Sequence, residues 1–501
     1  MDSSAASPVG KPRSSHMRWI IVALLFCVTT VNYVDRGVFG NLAPEMPGYL
    51  RLADKVQPTE VDAYWNEHSE EVLAVHAEGS HPEGDAKECE ECRAFTKARI
   101  ARKSWDEDYW NMQVAFSAAY ALSMLLMGRL VDLIGLRWGF VLMCSIWTAA
   151  SMLHAIAPEL GGLFGSAVIG FFICRILLAL GEGGNFPAAI KGIAEWFPKS
   201  ERALATGFIN CGSNVGGMLV PWLLPSVVAL FSTVTIGGVI IGWRGAFFFT
   251  GAFIVWIIPW LMFYREPARH PRVSPAELAH IQADAAEPTV KIPWRRLLPH
   301  RQTWAFVCAK FLTDGFWWFY LFGSPDFFYK KFSLSLDDRK YVLMFIYIVA
   351  DVGAVAGGWL SGKLMSRGWT VNRARKTTLF ICSLMVVPVF YSGLTDNKWT
   401  AALLITLAAS GHQAWSSNLF SVVGDMFPRR VVGSVTGFGG MMSSLGSMAL
   451  FFVTGKVLKV TGHYLPVFIL ASLAYPLAVA ILHLLAPRLE AAELGDPKRV
   501  A

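Results

Sequence analysis

Residues 175–187 carry an arginine and a glutamate inside an otherwise apolar segment. Arg175 and Glu182 are seven residues apart, so a helix would place them on one face, roughly 10 Å apart along its axis. A charged side chain at membrane depth costs about 2.5–3.5 kcal/mol on insertion scales. Such side chains therefore face a partner or a water-filled cavity, and this segment is a candidate functional site. An ion pair that only packs helices together is the alternative.

Small residues surround the glutamate. Gly181, Gly183 and Gly184 remove side-chain bulk, and Pro187 removes a backbone hydrogen-bond donor. This composition predicts that another helix or a solute comes close, and that the helix kinks near the proline.

A second pair of charges, Asp35 and Arg36, interrupts the first apolar segment. Adjacent helical residues point about 100° apart, so the two need not pair with each other. A guanidinium fork can bind both oxygens of a carboxylate. Because a low dielectric disfavours a charged carboxyl unless a cation opposes this, Asp35 and Glu182 are candidate proton carriers, and Arg175 could be that cation. An interfacial pair near the helix end remains open for Asp35 and Arg36.

The composition is that of an integral membrane protein. The chain has 501 residues, 54% of them hydrophobic and 16% charged, against about 25% charged in soluble domains. Long apolar segments recur and predict an all-α protein with twelve spanning helices. They lie at about 19–43, 110–131, 138–157, 166–190, 202–229, 245–264, 303–330, 341–362, 377–394, 399–424, 432–457 and 464–486.

The basic residues predict the orientation. Lys and Arg concentrate before the first segment and in the even-numbered loops, whereas the third and fifth loops contain almost none. The positive-inside rule then places both termini in the cytoplasm. The formal charge of +7 is explained by this distribution, and we expect no nucleic-acid partner.

An internal repeat divides the chain into two halves. The stretch 197–208 matches 427–438 without a gap, an offset of 230 residues (427 − 197 = 230). The same offset places His412 at the position of Glu182. The repeat predicts two parallel six-helix bundles with binding residues near the midplane between them. The expected divisions are a tail (1–18), an N-terminal bundle (19–264) with an extracytoplasmic insert (44–109), a linker (265–301), a C-terminal bundle (302–486) and a tail (487–501).

A glycine-rich motif follows the second segment. Gly128, Asp132, Gly135 and Arg137 lie where the chain turns. The glycines permit close helix approach, and Asp132 can pair with Arg137 or cap the next helix. We interpret the motif as a conformational latch. In the second copy Gly362 replaces the acid, which predicts a weaker latch.

Polar and aromatic residues inside the other segments could line a sugar-sized cavity, since amides and hydroxyls match sugar hydroxyls and an aromatic face can stack on a sugar ring. We favour Asn214, His412 and Asn418. The full set also includes Tyr120, Asn210, Ser213, Trp317, Trp318, Tyr320, Gln413 and Trp415.

The insert 44–109 lies outside the repeat and is rich in Asp and Glu. Cys89 and Cys92 form a C-x-x-C pair, for which we expect a local disulfide or two free thiols. A zinc site would need further ligands such as His76 or His81. Short surface helices are predicted over 67–75 and 88–103.

At these motifs the chain resembles a known family. The double motif after the second and eighth segments resembles that of the major facilitator superfamily. The stretches N-Y-V-D-R (32–36), R-I-L-L-A-L-G-E-G-G-N-F-P-A-A-I-K (175–191) and H-Q-A-W-S-S-N-L-F-S-V-V-G-D-M-F-P (412–428) resemble the anion:cation symporter family, and within it the bacterial hexuronate transporters. The insert, Gly362 and part of 315–329 depart from the family pattern.

The resemblance implies a major facilitator fold and the proton-driven import of a sugar acid such as glucuronate or galacturonate across the bacterial inner membrane. Arg36 and Tyr33 would hold the substrate carboxylate, Asp35 and Glu182 would carry protons, and Arg175 would be a switch partner. Another organic anion, such as an aldonate or dicarboxylate, and a non-transporting membrane sensor are the alternatives.

The remaining expectations concern partners and chemistry. The helices hold no nucleophile–base set, so we expect no enzyme, and we predict no cofactor and no metal site. The expected partners are a small anionic sugar, protons and membrane lipid, with the protein as a monomer.

Overall fold

The computed structural model of the chain describes residues 15–68, 89–236, 239–282, 296–427, 429–490 and 492. Some side chains within these ranges are not described, at residues 125, 128, 129, 132, 194, 199–204, 206, 210, 239, 354 and 429–434. The possible zinc ligands His76 and His81, the side chains of Asp132 and Asn210, and most of the helix predicted over 67–75 therefore lie outside what the structure describes.

Helices account for most of the described residues. In chain order they are α1 (Met17–Leu42), α2 (Met46–Tyr49), α3 (Pro58–Glu67), α4 (Glu90–His154), α5 (Ala157–Gly162), α6 (Ala167–Glu182), α7 (Asn185–Trp196), α8 (Lys199–Ser232), α9 (Arg244–Gly251), α10 (Ile257–Phe263), α11 (Pro275–Ile281), α12 (Arg301–Phe332), α13 (Leu336–Ser366), α14 (Val371–Val386), α15 (Lys398–Met426), α16 (Arg429–Thr461) and α17 (Leu465–Leu485). Short 3₁₀ helices cover Leu52–Lys55, Ala252–Trp256, Pro267–Arg269 and Val387–Gly393, and β1 (Thr235–Ile236) pairs antiparallel with β2 (Val239–Ile240).

Nine helical stretches within the described residues are long and apolar enough to cross a membrane. The other three predicted segments are helical as well and lie in the first part of α4, in α12 and in α15. They are less apolar; α12 carries Lys310, Asp314 and Asp326. The all-helical membrane architecture agrees with the sequence, while the count of twelve spanning helices stays a prediction.

The second and third predicted segments join through a single glycine. α4 runs from Glu90 to His154 and departs from helical geometry at Gly135, with φ 79° and ψ 158°. A residue with a side chain rarely adopts this positive φ. The turn of the predicted latch motif is therefore made by one residue.

The glycines around Glu182 allow a helix to approach. α6 ends at Glu182 and α7 begins at Asn185. A Cβ atom on Gly181 would lie 2.5 Å from the backbone nitrogen of Trp147, and one on Gly183 would lie 2.7 Å from the Cβ of Ser123. Both neighbours belong to α4. The predicted close approach is confirmed, and α4 makes it.

The helices pack within and across the predicted halves. In the first half α4 packs on α6 and α1 packs on α8, and in the second half α13 packs on α15 and α12 on α16. Across the halves, α4 contacts α16, α8 contacts α13, and α1 contacts α12. The buried apolar side chains of both halves form one connected cluster.

The insert is anchored to α4. Gln57 and Glu60 form a capping box at the start of α3, which satisfies backbone donors there. Val61 and Trp65 of α3 pack on Cys92 in the first turn of α4. The helix predicted over 88–103 is therefore the beginning of α4 and not a separate surface helix, because the chain continues helically through residue 110.

The linker contacts the beginning of α1. Glu277 in α11 accepts hydrogen bonds from the backbone N–H groups of Met17 (3.2 Å) and Arg18 (3.1 Å), and its side chain is buried. Ser15 adds a hydrogen bond to the same carboxylate. A carboxylate at a helix N-terminus satisfies free donors and complements the helix dipole. The linker is thereby held against the N-terminal half.

The α12–α16 interface gives a test of this packing. A Cβ atom on Gly446 would lie 2.0 Å from the carbonyl oxygen of Phe311, whereas one on Gly440 would meet only the end of Met124, at 3.7 Å. We predict that Gly446→Ala lowers the free energy of unfolding by about 1–3 kcal/mol through overpacking. Gly440→Ala, on the same helix, should leave the free energy of unfolding unchanged or raise it slightly. Denaturant unfolding of the detergent-solubilised protein measures both, and equal stabilities would contradict the packing.

Candidate functional site

Arg36 and Glu182 form an ion pair inside the protein. The Nε atom of Arg36 lies 2.8 Å from Oε2 of Glu182, and neither side chain has exposed surface. Nη2 of Arg36 donates to Oδ1 of Asn32, one turn earlier on α1, at 3.1 Å. The pair joins α1 to the end of α6, so two segments singled out by sequence meet here.

Aromatic rings surround the guanidinium of Arg36. Its carbon lies 4.8 Å from the ring centre of Tyr33, 4.7 Å from that of Tyr120 and 4.6 Å from that of Trp318. Tyr33 and Trp318 also stack, with ring centres 6.2 Å apart. Cation–π contacts of this kind contribute about 2 kcal/mol or more when desolvated. Because Trp318 belongs to α12, the cation touches both predicted halves.

Two polar atoms of the ion pair have no hydrogen-bond partner among the described residues. They are Nη1 of Arg36 and Oε1 of Glu182, and both are buried. A buried polar atom without a partner costs about 1–3 kcal/mol. The pair therefore keeps hydrogen-bonding capacity that a small polar or anionic molecule could use.

Asp35 is held on another face of α1. The hydroxyl of Ser151 donates to Oδ1 of Asp35 at 2.9 Å and also contacts the hydroxyl of Thr250 at 2.8 Å. Oδ2 of Asp35 is buried without a partner among the described residues. Asp35 and Arg36 thus have separate partners, as their helical spacing predicts.

Arg175 pairs with a neutral group. Its Nη2 donates to Oε1 of Gln113 at 2.7 Å, and its guanidinium lies 4.1 Å from the ring centre of Phe116. The sequence suggested Arg175 as the cation for one of the two carboxylates, but the cation in contact with Glu182 is Arg36. Arg175 remains fully buried on the same face of α6 as Glu182.

His412 contacts aromatic residues of the second half. Its Nδ1 lies 2.7 Å from the hydroxyl of Tyr475, and its ring stacks on Trp317 at 5.7 Å. Trp317 neighbours Trp318, which covers Arg36. His412 and Arg36 therefore contact adjacent tryptophans of α12.

Asn214 connects the halves, whereas Asn418 joins helices within one. The amide of Asn214, on α8, hydrogen-bonds to Asp351 of α13 and accepts a bond from Gln413 at 3.3 Å. Asn418 donates to the carbonyls of Gly357 (3.0 Å) and Ala414 (2.9 Å). That both asparagines bind substrate stays a prediction.

Besides Asp326, sequence reasoning missed three charged residues inside the predicted apolar segments. Asp351 lies on α13 and meets Asn214. Lys310 and Asp314 form an ion pair one turn apart on α12. The same criterion that selected Arg175, a charge inside an apolar segment, would have found all three.

The latch motif is described in part. Nη2 of Arg137 donates to the carbonyl of Leu261 at 2.8 Å, and the indole of Trp260 donates to the carbonyl of Arg137 at 3.1 Å. These bonds tie the end of the Gly135 turn to α10. The side chain of Asp132 lies outside what the structure describes, so the pairing of Asp132 with Arg137 stays a prediction.

Ion pairs join the halves on the side predicted to face outward. Arg102 of α4 pairs with Asp326 of α12, and Lys330 contacts both Asp326 (2.9 Å) and Asp106 (2.6 Å). Arg339 of α13 pairs with Glu45 at 2.5 Å. Arg102, Asp106 and Glu45 all belong to the predicted insert. The insert therefore helps to connect the two halves at this end.

The described part of the chain contains no group of three or more His, Cys, Asp or Glu side chains that could hold a metal ion. The sulfur of Cys89 accepts a hydrogen bond from the backbone N–H of Cys92 at 3.4 Å, while the choice between a local disulfide and two thiols stays a prediction. This contact caps the first turn of α4.

The sequence model of the Major Facilitator Superfamily matches residues 25–451 of the chain. The chain belongs to this superfamily. It is 27% identical to the hexuronate transporter of Escherichia coli (strain K12) over 364 residues, 71% of this chain and 80% of the relative. It is 28% identical to the galacturonate transporter of Dickeya chrysanthemi over 312 residues, 60% and 85%. It is also 26% identical to the D-galactonate transporter of Escherichia coli O6:H1 over 402 residues, 77% and 86%.

Solved structures of transporters share the fold of this superfamily member. A bacterial homolog of the human lysosomal transporter Spinster, inward-facing and occupied, matches with a TM-score of 0.60 at 16% identity over 95% of this chain and 96% of that one. The D-xylose-proton symporter matches with a TM-score of 0.54 at 14% identity over 91% and 97%. The protein is thus a multi-pass membrane protein with the major facilitator fold, and it is not an enzyme.

The Arg36–Glu182 pair gives a stability prediction. Replacing Glu182 by Leu would leave Arg36 buried without its counter-ion, and removing one partner of a buried pair costs about 3–5 kcal/mol. We expect denaturant unfolding of Glu182→Leu to show a loss of this size. Glu159→Leu breaks the Arg244–Glu159 pair, in which the glutamate is 58% exposed, and should cost less than about 1 kcal/mol. A loss of unfolding free energy in Glu182→Leu as small as that in Glu159→Leu would show that the buried pair is not essential to the fold.

Proposed function

We propose that the protein is a proton-coupled symporter that imports a hexuronate, such as glucuronate or galacturonate, by alternating access. The buried Arg36–Glu182 ion pair, covered by aromatic residues of both halves, is the observation that carries this proposal. Relatives named for hexuronate, galacturonate and galactonate transport support a sugar acid as the substrate.

Competition for Arg36 provides the coupling. A substrate carboxylate that binds Nε of Arg36 must displace Glu182, since Nε lies 2.8 Å from Oε2 of Glu182. A carboxylate that loses its cation in a buried site is strongly disfavoured in its charged form, so Glu182 takes up a proton as the substrate binds. Release reverses the exchange: the substrate leaves, Glu182 loses its proton, and the ion pair forms again.

The aromatic residues around Arg36 suit a sugar ring. Tyr33, Tyr120 and Trp318 present flat faces within 4.8 Å of the guanidinium carbon. A bound sugar acid would direct its carboxylate to Arg36 and stack its apolar ring face on one of these rings. Asn214 and Gln413, which meet at the junction of the halves, are placed to bind hydroxyl groups.

Asp35 and Arg175 complete the proposed proton machinery. Asp35 has one carboxylate oxygen held by Ser151 and the other without a partner, which suits a group that gains and loses a proton. Arg175 has Nε and Nη1 without partners among the described residues. As a switch partner, Arg175 would donate a hydrogen bond to the protonated carboxyl of Glu182 when the substrate holds Arg36.

The ion pairs of the insert support a state closed toward the outside. Arg102, Asp326, Lys330 and Asp106 hold the halves together at the end opposite the predicted cytoplasmic loops. Alternating access requires that these contacts break when the site opens outward. The proposed setting is the bacterial inner membrane, with both termini in the cytoplasm and the protein acting as a monomer with a small anionic sugar and protons as partners.

Uptake into proteoliposomes tests the function. We expect accumulation of labelled glucuronate or galacturonate when the inside is alkaline, and faster uptake than without a pH gradient, because protons move with the substrate. Galactonate and glucarate, tested in parallel, show whether an aldonate or a dicarboxylate is preferred. Equal uptake with and without the imposed pH gradient would contradict proton coupling. Absence of uptake for every sugar acid would contradict the substrate class.

Substitutions at the ion pair test the coupling mechanism. Glu182→Gln cannot ionise, so we expect substrate exchange between equal pH values to persist while gradient-driven accumulation falls at least about tenfold. Arg36→Lys keeps the charge but loses the planar fork and its stacking, so we expect both activities to fall by a similar factor. Gradient-driven accumulation by Glu182→Gln at the wild-type level would exclude Glu182 as the coupling group.

A further inference from the structure

A second buried ion pair lies in the C-terminal half. Lys310 and Asp314 pair across one turn of α12, and their side chains are 6% and 10% exposed. The hydroxyl of Ser443 donates to Oδ2 of Asp314 at 2.8 Å. Oδ1 of Asp314 is buried and has no partner among the described residues.

The position of this pair connects it to the site already described. Asp314 precedes Trp317 and Trp318 by three and four residues, so the three side chains lie along one face of α12. Trp318 covers Arg36, and Trp317 stacks on His412. The Lys310–Asp314 pair therefore lies about one turn from two tryptophans, one of which contacts Arg36 and the other His412.

The arrangement resembles that of the N-terminal half. Asp35 on α1 accepts a bond from a serine of another helix and keeps one oxygen without a partner, and Asp314 on α12 does the same. The sequence repeat places His412 at the position of Glu182. Each predicted half thus has an aspartate on its first helix and a second titratable group at the equivalent position of its fourth.

The charged and titratable groups around Asp314 come from several helices. Those that face it or the adjacent tryptophans are Lys310 on α12, His412 on α15, Tyr475 on α17, Tyr347 on α13, Tyr120 on α4, and Tyr33 and Arg36 on α1. From α16 the contacting group is the hydroxyl of Ser443, which does not titrate near neutral pH. Of these groups, Lys310 is the cation in direct contact with Asp314.

We propose that Asp314 is a second proton-binding site, so that each transport cycle carries one proton more than the N-terminal half carries alone. This inference rests on the proposed proton-coupled transport. The proton comes from water and binds Oδ1 of Asp314, so the charge of the pair rises by one. An anionic substrate beside Trp318 favours this change because opposite charges attract across the low-dielectric interior.

The number of protons carried per substrate tests the proposal. Full-length protein is reconstituted in liposomes with the membrane potential held at zero by potassium and valinomycin. At steady state, the slope of the logarithm of the accumulation ratio against the pH difference equals the number of protons carried with each substrate. We expect this slope to fall by one in the double variant Lys310→Met/Asp314→Leu. Replacing a buried ion pair by apolar residues of similar volume is often neutral for stability, so this variant is suited to the measurement.

A matched control removes another ion pair. Arg244 at the start of α9 pairs with Glu159 of α5 at 2.6 Å, and the glutamate is exposed. The double variant Arg244→Gln/Glu159→Gln should keep the wild-type slope. An unchanged slope in Lys310→Met/Asp314→Leu, with a positive wild-type slope, would overturn this inference and leave the proposed function intact. A wild-type slope of zero would instead overturn proton coupling itself.

Substrate exchange separates a coupling role from a structural one. Exchange between equal pH values needs no net proton movement, so Asp314→Asn should keep it within about twofold of wild type while its accumulation slope falls. Loss of exchange in both Asp314→Asn and the double variant would show that the pair serves packing or substrate binding, and the proposal would be wrong.

Discussion

A permanently charged guanidinium without exposed surface constrains the whole site. Arg36 cannot lose its proton in any accessible pH range, so it must keep an anion beside it or become an isolated buried charge. Glu182 fills this role in the structure at 2.8 Å. A substrate carboxylate that binds Arg36 through Nε would therefore replace Glu182, and the released carboxyl would have to be neutralised. Under the proposed function, proton coupling follows from this single requirement.

The same requirement explains why the helices around the pair are arranged as they are. Gly181 and Gly183 let α4 pack directly against the end of α6, which positions Glu182 deep in the protein. Trp318 of the opposite half covers Arg36, so the ion pair contacts residues of both halves. Movement of one half against the other would change the surroundings of the cation, and exchange of anions at the cation would bias that movement.

The sequence predicted the buried charges well and their partners poorly. Arg36, Arg175 and Glu182 were identified because charge is costly inside a membrane, and that cost applies whatever the fold. Which cation meets Glu182 depends on how α1 and α6 pack, and a seven-residue spacing on one helix does not determine this. Arg175 consequently pairs with Gln113. Lys310 meets the same criterion of a charge inside an apolar segment, but it lies on α12, outside the repeated motifs.

The total charge of the buried site restricts the substrate. Arg36 and Arg175 contribute two positive charges, and Asp35 and Glu182 contribute two negative charges when both are ionised, so the site is neutral in the form that holds the Arg36–Glu182 pair. A monocarboxylate that enters this site adds one negative charge, which one proton on Glu182 cancels. A dicarboxylate adds two, so a second proton must enter or the second carboxylate must reach water or another cation. The positive charge of Arg175 is already cancelled by one of the two carboxylates in this count, although the side chain that it contacts is the neutral Gln113. Under the proposed function, Asp35 is the other group in this half that can take up a second proton, so a dicarboxylate would require protonation of both carboxyls and a sugar acid with a single carboxylate would require protonation of one.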